Sequence, residues 1–564
     1  MTRSRTPSRE PGPSGPAVVE VLVLAVVLAV IALRATITEA PPMRAAAFSV
    51  NRYDQAYSLV ISCVLIGCTT LGLLVRGRSG RPAGPVWGLG LFLCAGLAGC
   101  LIASDKRLAV NQVVVSVAPM GLALLLAGIL DQAWKRRLVL ALIAALGVAG
   151  TFECLNQVVY GNRAMVEQYR SDPNSMLEPL GIERGTLQEF LFEHRLLTGG
   201  APGFFTTRNS AGSFAVLALF ACMALVVERA ANPGRPSILY AATAGLIVIG
   251  LVLTKSKGAA LGLFVTGAGL YGFVRWRAWI AAHRGLVRAS ALALVLVLAG
   301  ALIRYSLGHG RLPGGHAAEV RWQYWTATVR MIADHPWLGV GPGNFATHYN
   351  RYKPAEALES VADPHNFVLS LLAQYGPLGL IGFLVALGWP LVRALSACRT
   401  VQEARPIPQR GWALGTCAAA VGLALFAARP WLSHVLEAGA GGELGLIVLS
   451  YGVPGLLVLV GMVLLSQGAQ DPKTARSHPW ALALVLACGI GSLLVANLID
   501  FALFEPAIAT CVWAMAGCLV ASPQGQPPAP GAPGRRPWIA VLCTVAVFVA
   551  CWFGLAAPVL DTAL

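Results

Sequence analysis

The sequence predicts an all-α polytopic integral membrane protein, and its composition and apolar periodicity support this class. Of its 564 residues, 56% are hydrophobic and only 12% are charged, whereas soluble globular proteins carry about 25% charged residues. Apolar runs of roughly 17 to 22 residues recur along the chain, and each is long enough to cross a bilayer. A membrane β-barrel is disfavoured, because it would instead show short segments of alternating hydrophobicity.

We predict about 14 to 15 membrane-spanning helices, on the criterion that roughly 20 apolar residues cross the hydrocarbon core. Their positions are 17–33, 57–75, 86–104, 110–130, 137–158, 209–227, 237–254, 257–273, 287–303, 377–394, 412–427, 444–465, 480–499, 503–522 and 538–558. The first run follows a basic tail and resembles a signal peptide, but the many spans behind it favour an uncleaved helix.

Two large extracytoplasmic loops divide the predicted spans into groups. The predicted organisation is a cytoplasmic tail at 1–16, N-terminal transmembrane helices at 17–158, a first periplasmic loop at 159–208, transmembrane helices at 209–303, a large periplasmic loop at 304–376, and C-terminal transmembrane helices at 377–564.

Basic residues set the predicted orientation. With the N-terminus in the cytoplasm, the inner segments carry roughly 23 Lys and Arg and the short outer segments roughly eight, as the positive-inside rule expects. Arg76–Arg81 (RGRSGR) and Arg275–Arg288 are examples of such inner segments. Both large loops then lie outside, where lipid-linked sugars are available as energised donors and nucleotide sugars are scarce.

Charge and cysteine content exclude two other classes. The formal charge of +16 is accounted for by basic cytoplasmic loops, and no motif that reads DNA or RNA is present, so nucleic acid is not a predicted partner. Nearly all of the 13 cysteines lie in apolar runs and none lies in the two large loops, which argues against a disulfide framework.

His365 lies in the segment DPHNFVLSLLAQYGPLG. Asp363 is a good N-cap and Pro364 suits a first helical position, so we predict a helix from Pro364 to Tyr375 that ends at Gly376. His365 and Asn366 would then occupy its first turn, where the helix end attracts anions and favours a neutral imidazole. The alternative is an interfacial histidine without a chemical role.

Three basic residues could hold a phosphate near this histidine. Lys255 and Lys257 stand at the outer mouth of the eighth predicted span, where a lysine is often only a snorkelling anchor. Arg321 starts a helix face that continues through Trp325 and Thr328. It could clamp a pyrophosphate bidentately or simply contact lipid phosphate. The turn-rich GVGPG segment that follows, Gly339–Gly343, allows close backbone approach but is a weak signal on its own.

The first large loop contains a predicted surface helix and a polar entry to the sixth span. Thr186 and Glu189 form a capping box for a helix that we expect to lie on the bilayer. The segment GFFTTRNSAGSFA places Arg208 and Asn209 at the outer edge of the span. No D-x-D and no cluster with metal-ligand spacing occurs, so a metal-dependent transferase is disfavoured, and cations would replace the metal at a diphosphate.

In combination, these motifs resemble the O-antigen ligase family of polytopic inner-membrane proteins, which shares a domain with O-antigen polymerases. The family pattern of His-Asn, nine residues and Gly-x-x-Gly is matched by His365-Asn366 and Gly376-Pro-Leu-Gly379. The Arg321 helix with its P-x-x-G-x-G turn, and TKSKGA with Lys257 in place of the family arginine, resemble two further motifs. The resemblance covers roughly residues 200 to 390.

The resemblance implies a GT-C-like, metal-independent membrane glycosyltransferase in the bacterial inner membrane, with its active site on the periplasmic face. Its donor would be an undecaprenyl-diphosphate-linked glycan, its acceptor lipid A-core or another glycolipid or glycan, and it would need no cofactor. Lys257 and Arg321 would hold the pyrophosphate and His365 would activate the acceptor hydroxyl. The implied substrate-binding residues are Arg208, Asn366 and Lys255.

Two alternatives stay open at this point. One is an O-antigen or exopolysaccharide polymerase, or a protein O-oligosaccharyltransferase, of the same family. The other is a transporter or flippase, which would place ionisable residues at mid-bilayer. The predicted spans are nearly free of such residues, and their polar content concentrates in the external loops, which disfavours transport.

Overall fold

The computed structural model describes residues 15–36, 52–76, 83–198, 200–230, 238–313, 315–355, 357, 359–396, 452–466 and 479–521. This part of the chain is helical and contains no β-strand. The predicted spans 412–427 and 538–558 lie outside the described residues.

The described helices are numbered in chain order. They are α1 (Gly15–Thr36), α2 (Arg52–Arg76), α3 (Ala83–Ile102), α4 (Lys106–Ile129), α5 (Ala133–Asn156), α6 (Asn162–Ser171), α7 (Pro173–Leu177), α8 (Leu187–Thr198), α9 (Arg208–Ala230), α10 (Ile238–Thr254), α11 (Lys257–Ala282), α12 (Arg284–His309), α13 (His316–Asp334), α14 (Phe345–Tyr352), α15 (Phe367–Ser396), α16 (Val453–Ser466), α17 (Pro479–Ala496) and α18 (Pro506–Val520).

These helices confirm the predicted polytopic membrane class. Within the described ranges, eight helices are long and apolar enough to cross a membrane, namely α1, α3, α4, α5, α9, α11, α12 and α15. The shorter helices α2, α10, α16, α17 and α18 are also apolar. Every predicted span that falls on described residues overlaps one of these helices, because the same apolar run that marks a span also favours a continuous helix in lipid.

Helix α5 lies at the centre of the bundle. It packs against α9, α10 and α16, and all of its residues from 138 to 147 are buried. A helix that is apolar on every side in this way is surrounded by other helices rather than by solvent. The predicted span 137–158 therefore forms the core of the protein.

Small residues let α15 approach α3 closely. A Cβ on Gly88 would lie 2.3 Å from the backbone nitrogen of Ala386, and one on Gly382 would lie 2.5 Å from that of Phe92. Such close backbone contact is how membrane helices gain packing energy in the absence of a hydrophobic driving force. It fixes the position of α15, the helix that follows the His365 motif.

One end of the bundle is closed by buried ion pairs. At the start of α5, Lys135 Nζ lies 3.2 Å from a carboxylate oxygen of Glu20 in α1. Arg137 Nε lies 2.9 Å from Glu228 in α9, and Arg136 pairs with the same carboxylate. Removing Glu228 would leave two largely buried arginine charges uncompensated, which typically costs about 3–5 kcal/mol, so this carboxylate holds α5 to α9. Lys135 also pairs with Asp131, at 2.8 Å, and its bond to Glu20 joins α5 to α1.

Both large loops lie at the opposite end of the bundle. The first loop returns to the bundle where the Ala201 N–H donates to the Leu253 carbonyl at the end of α10, at 3.2 Å. The second loop contacts the turn between α17 and α18 through Arg321, whose Nε donates to the Ile499 carbonyl at 2.8 Å. The side of the membrane that this end faces stays a prediction from the distribution of Lys and Arg.

The first loop is a small helical unit that continues from α5 through a π-helical turn, Gln157–Gly161. The hydroxyl half of its predicted capping box is confirmed, whereas the return bond of the glutamate goes to Gly185 and not to Thr186. The Glu189 N–H donates to Thr186 Oγ1 at 3.3 Å, and the Glu189 carboxylate accepts from the Gly185 N–H at 2.5 Å. Tyr169 of α6 also donates to Glu189, at 3.2 Å, and so joins α6 to α8.

Helices α11 and α12 extend beyond the predicted spans 257–273 and 287–303. α11 is interrupted at Trp276, whose φ of −115° and ψ of 20° are not helical. The apolar side chains in the middle of α12, such as Leu294 and Leu298, are exposed in the described structure. Such a surface suits contact with lipid tails.

Cysteine labelling tests the orientation. Ser175 in the first loop and Ala355 in the second are both exposed. Single cysteines at these positions, in a cysteine-free background, should react with a membrane-impermeant maleimide in intact spheroplasts. A cysteine in the predicted inner segment Arg275–Arg288 is the control and should react only after lysis. Labelling of both loops only after lysis would contradict the predicted topology.

Candidate active site

The turn between α17 and α18 connects the site elements. Its Ile499 carbonyl accepts from Arg321 Nε at 2.8 Å, and its Leu498 carbonyl accepts from Asn366 Nδ2 at 3.0 Å. The preceding carbonyl, of Asn497, accepts from the Phe367 N–H at 3.0 Å. Three consecutive carbonyls therefore bind the arginine, the asparagine of the His motif and the first residue of α15.

The start of the helix after His365 differs from the prediction. The predicted helix from Pro364 with Asp363 as its N-cap is wrong, because α15 begins at Phe367. Asn366 is its N-cap instead, since its Oδ1 accepts from the N–H groups of Val368 at 3.0 Å and Leu369 at 3.1 Å. His365 and Asn366 thus precede the first turn rather than occupy it.

Asp363 stabilises the turn that precedes α15 and does not cap the helix itself. Its Oδ1 accepts from the His365 N–H at 2.7 Å, so the carboxylate stabilises a turn across Pro364 instead of capping the helix. His365 has a φ of 57°, in the left-handed region that a residue with a Cβ enters at a cost. Both Asp and Asn can cap a helix, and the left-handed residue between them decides which one does.

The predicted break at Gly376 is confirmed. Gly376 has a φ of 67° and interrupts α15, so the stretch after the His motif is bent against the rest of the helix. A Cβ at this position would lie 2.1 Å from the carbonyl oxygen of Trp337. Glycine is required here both by the left-handed backbone and by the close approach of Trp337.

The glycine turn before α14 packs against the same helix. Gly339, Gly341 and Gly343 all have positive φ. The Val340 N–H donates to the Ala373 carbonyl of α15 at 2.8 Å. A Cβ on Gly341 would lie 2.7 Å from the Cβ of Ala103. The turn is therefore fitted between α15 and the α3–α4 connection.

Aromatic rings and one carbonyl fix the His365 imidazole. Its Nδ1 lies 2.9 Å from the Asp363 carbonyl oxygen. Because a carbonyl can only accept, this bond needs the proton on Nδ1, and in a neutral imidazole the lone pair is then on Nε2. The ring centroid is 5.5 Å from Tyr324 and 4.9 Å from Phe501, which meets it edge-on. The side chain is half-buried.

Tyr324 is itself held by a carboxylate. Its hydroxyl donates to Glu359 Oε2 at 2.5 Å. Burial, and then the hydrogen bond to Glu359, raise the pKa of Tyr324 well above its ordinary value. Burial also raises the pKa of the neighbouring Tyr349 to about 12. Both phenols are therefore neutral at physiological pH. The ring that contacts His365, that of Tyr324, is thus uncharged.

Lys257 lies close to the turn that holds Arg321. It is the first residue of α11, it is exposed, and Ser256 caps the helix through its Oγ. A Cβ on the next residue, Gly258, would be 3.9 Å from the side chain of Ile499, whose carbonyl binds Arg321. The start of α11, which carries Lys257, and the side chain of Arg321 therefore both lie near Ile499, and whether Lys257 and Arg321 face one cavity stays a prediction.

Arg208 stands at the polar start of α9, which is joined to the start of α11 by a hydrogen bond. It is the first residue of α9 and is exposed. Its neighbour Asn209 accepts from Ser256 Oγ at 3.1 Å, which joins the start of α9 to the start of α11. Ser210 donates to the buried Glu505 at 2.6 Å, and Thr206 donates to the same carboxylate oxygen.

Helix geometry favours an anion at this end. α9, α11, α15 and α18 all begin here, at Arg208, Lys257, Phe367 and Pro506. Each helix N-terminus carries a partial positive charge, although N-cap side chains already pair N–H groups at the starts of α15 and α11. Combined with the exposed cations at Arg208 and Lys257, these helix ends make a suitable environment for a phosphate or diphosphate.

Sequence reasoning missed the contribution of the C-terminal turn. Asn497, Asp500, Phe501 and Glu505 all fall within predicted spans or at their edges. A signal was present, because Asp500 and Glu505 are the only charged residues between 479 and 521. Both are buried, and an intramembrane acid is a functional hypothesis by default.

The fold and the site together define a polytopic α-helical membrane protein that gathers cations, helix N-termini and a histidine at one end of its bundle. Residues 241–384 match the sequence model of the O-antigen ligase family. The resemblance seen in the sequence is thus confirmed over the segment that contains Lys257, Arg321 and His365, whereas Arg208 lies outside it.

One curated relative is an O-antigen ligase of Pseudomonas aeruginosa strain PAO1. It is 35% identical to this chain over 94 residues, which are 17% of this chain and 22% of the relative. The match therefore spans about a fifth of the relative's length.

Lys255 offers a test of a predicted binding residue. It has a φ of 54° and is exposed. Lys255→Gly should keep or raise the thermal unfolding midpoint, because glycine adopts this backbone freely, whereas Lys255→Ala should not. If the ammonium binds the ligand, both variants should weaken binding of an isoprenoid diphosphate, measured by titration of purified protein. Unchanged affinity in both would make Lys255 a turn residue only.

Proposed function

We propose that this protein transfers a glycan from an undecaprenyl-diphosphate carrier to lipid A-core or a similar glycolipid acceptor at the periplasmic face of the bacterial inner membrane. The observation that carries the proposal is that Arg321 and His365 contact the turn after α17, which also lies near the start of α11 at Lys257. The match of residues 241–384 to the O-antigen ligase family supports the reaction class.

The diphosphate would lie against the cations. Arg321 uses Nε for the Ile499 carbonyl and one terminal nitrogen for the Ala317 carbonyl. These bonds fix the plane of the guanidinium, and among the described residues Nη2 has no hydrogen-bond partner. A pre-oriented guanidinium loses less entropy on binding a phosphate than a mobile one. Lys257 would add a second, less directional charge.

His365 would act as the general base. Its Nε2 would accept the proton of the acceptor hydroxyl while that oxygen attacks the anomeric carbon of the glycan. The bond between this carbon and the diphosphate oxygen then breaks, and undecaprenyl diphosphate leaves as an anion. The positive charges of Lys257, Arg321 and the helix ends would stabilise the charge that develops on the leaving group. These groups take the role that a metal ion has in other transferases.

The resulting biological test compares a deletion strain with wild type. Loss of the polysaccharide ladder on lipopolysaccharide, with accumulation of the full-length lipid-linked glycan, is expected of a ligase. Accumulation of single lipid-linked repeat units would instead indicate a polymerase. A normal ladder and normal carrier pool would contradict both.

The cation pair gives a biochemical prediction. Lys257→Gln with Arg321→Gln should abolish transfer and weaken donor binding in proteoliposomes, because both charges at the diphosphate are lost. The matched control is Lys106→Gln with Arg330→Gln. Lys106 is also an exposed first residue of a helix, and Arg330 is an exposed arginine of α13. Transfer by the site variant at the rate of the control would refute the diphosphate clamp.

The histidine gives a second biochemical prediction. His365→Ala should lower the rate of transfer by about 10²- to 10⁴-fold, the usual contribution of general acid–base catalysis, while donor binding is retained. His365→Gln should keep a trace of activity if orientation of the acceptor matters. His348 is the control, because its Nδ1 makes an equivalent 3.0 Å bond to the Asn344 carbonyl. Wild-type rates for His365→Ala would remove the general base from the mechanism.

A further inference from the structure

Asp363 is a buried carboxylate beside the candidate base, and its two oxygens serve different partners. It is 3% exposed. Oδ1 accepts from the His365 N–H at 2.7 Å, and Oδ2 accepts from Ser370 Oγ at 2.5 Å. The first bond closes the turn across Pro364, and the second reaches one turn into α15.

A chain of hydrogen bonds extends from Ser370 to the glycine turn. Ser370 Oγ accepts from Gln374 Nε2 at 2.9 Å, and Gln374 Oε1 accepts from the Gly343 N–H at 2.8 Å. Ser370 and Gln374 are both fully buried and, four residues apart, lie on one face of α15. The Asp363 carboxylate is thus anchored to two rigid elements before it contacts His365.

This anchoring acts on His365 through the main chain. The left-handed backbone of a non-glycine residue is energetically unfavourable and persists only where the surroundings impose it. The charge-assisted bond from the His365 N–H to the carboxylate is of the kind that can offset such a cost. The same turn brings the Asp363 carbonyl to Nδ1 at 2.9 Å, which fixes the tautomer and aims Nε2 away from Asp363.

We propose that Asp363, anchored through Ser370 and Gln374, is the positioning residue that holds His365 Nε2 in its reactive orientation. It does so by fixing the backbone, whereas the acid of a Ser-His-Asp triad bonds the imidazole directly. The inference rests on the proposed role of His365 as general base and extends it to residues that do not touch the substrate.

The test measures transfer rate and donor KM separately in proteoliposomes. Asp363→Ala removes both acceptors, so kcat should fall on the order of 10²-fold, the loss expected of a misplaced catalytic group, while KM for the lipid-linked donor stays within about 3-fold. Asp363→Asn keeps an acceptor for the His365 N–H and should restore most of the rate. Ser370→Ala removes one anchor and should lie between these variants.

Asp105→Ala is the matched control. Asp105 likewise accepts a backbone N–H at a helix start, from Leu108 at 2.9 Å, and it lies beside the same glycine turn through Asn344. Loss of this cap should lower the thermal unfolding midpoint without lowering kcat. If Asp363→Ala fails to accumulate, the kcat values of the other variants decide the question. The inference then requires a lower kcat for Ser370→Ala than for Asp363→Asn and Asp105→Ala.

A double variant separates positioning from general stability. Asp363→Ala added to His365→Ala should cause no further loss of rate, because there is no imidazole left to orient. A further loss in the double variant, or a wild-type kcat for Asp363→Ala, would overturn the inference while leaving the proposed function intact. Undiminished transfer by His365→Ala alone would instead refute the general base on which it rests.

Discussion

The site depends on three backbone carbonyls that follow the end of α17. Within a membrane bundle, irregular backbone is tolerated only where protein groups satisfy it. The carbonyls of Asn497, Leu498 and Ile499 are satisfied by Phe367, Asn366 and Arg321. The need to pair these carbonyls therefore draws the His motif and the arginine helix to one place.

This arrangement makes the C-terminal helices part of the candidate site. The matched family segment ends at residue 384, yet the turn that orients Arg321 lies more than a hundred residues further on. The same turn carries Phe501 against the His365 ring and leads to Glu505, which binds the entry to α9. A substitution in this turn would therefore alter several site elements at once, although none of its residues need touch a substrate.

The sequence predicted the spans well and the local turn poorly, for physical reasons. Hydropathy over about 20 residues responds to the bilayer itself, so helices such as α4 and α9 were placed within a few residues. The hydroxyl half of the capping box at Thr186 and the break at Gly376 are local rules and were also predicted. The start of α15 was not, because Asp363 and Asn366 are equally good caps and the φ of His365 decides between them. The pairing of Arg321 with Ile499 joins residues distant in sequence, and no local pattern encodes it.

Backbone strain is concentrated at two residues of the candidate site. Among the described residues, Lys255 and His365 are the only non-glycine residues with positive φ, and both were selected from sequence motifs without reference to backbone conformation. At Lys255, a hydrogen bond from its N–H to the Val252 carbonyl at 3.1 Å supports the turn that starts α11 with Lys257. At His365, the Asp363 carboxylate supports the turn that starts α15. Each strained residue thus sits immediately before a helix N-terminus at the same end of the bundle. Strain at such positions costs stability and persists only where the surrounding structure imposes it, and here hydrogen bonds from the Lys255 and His365 N–H groups do so.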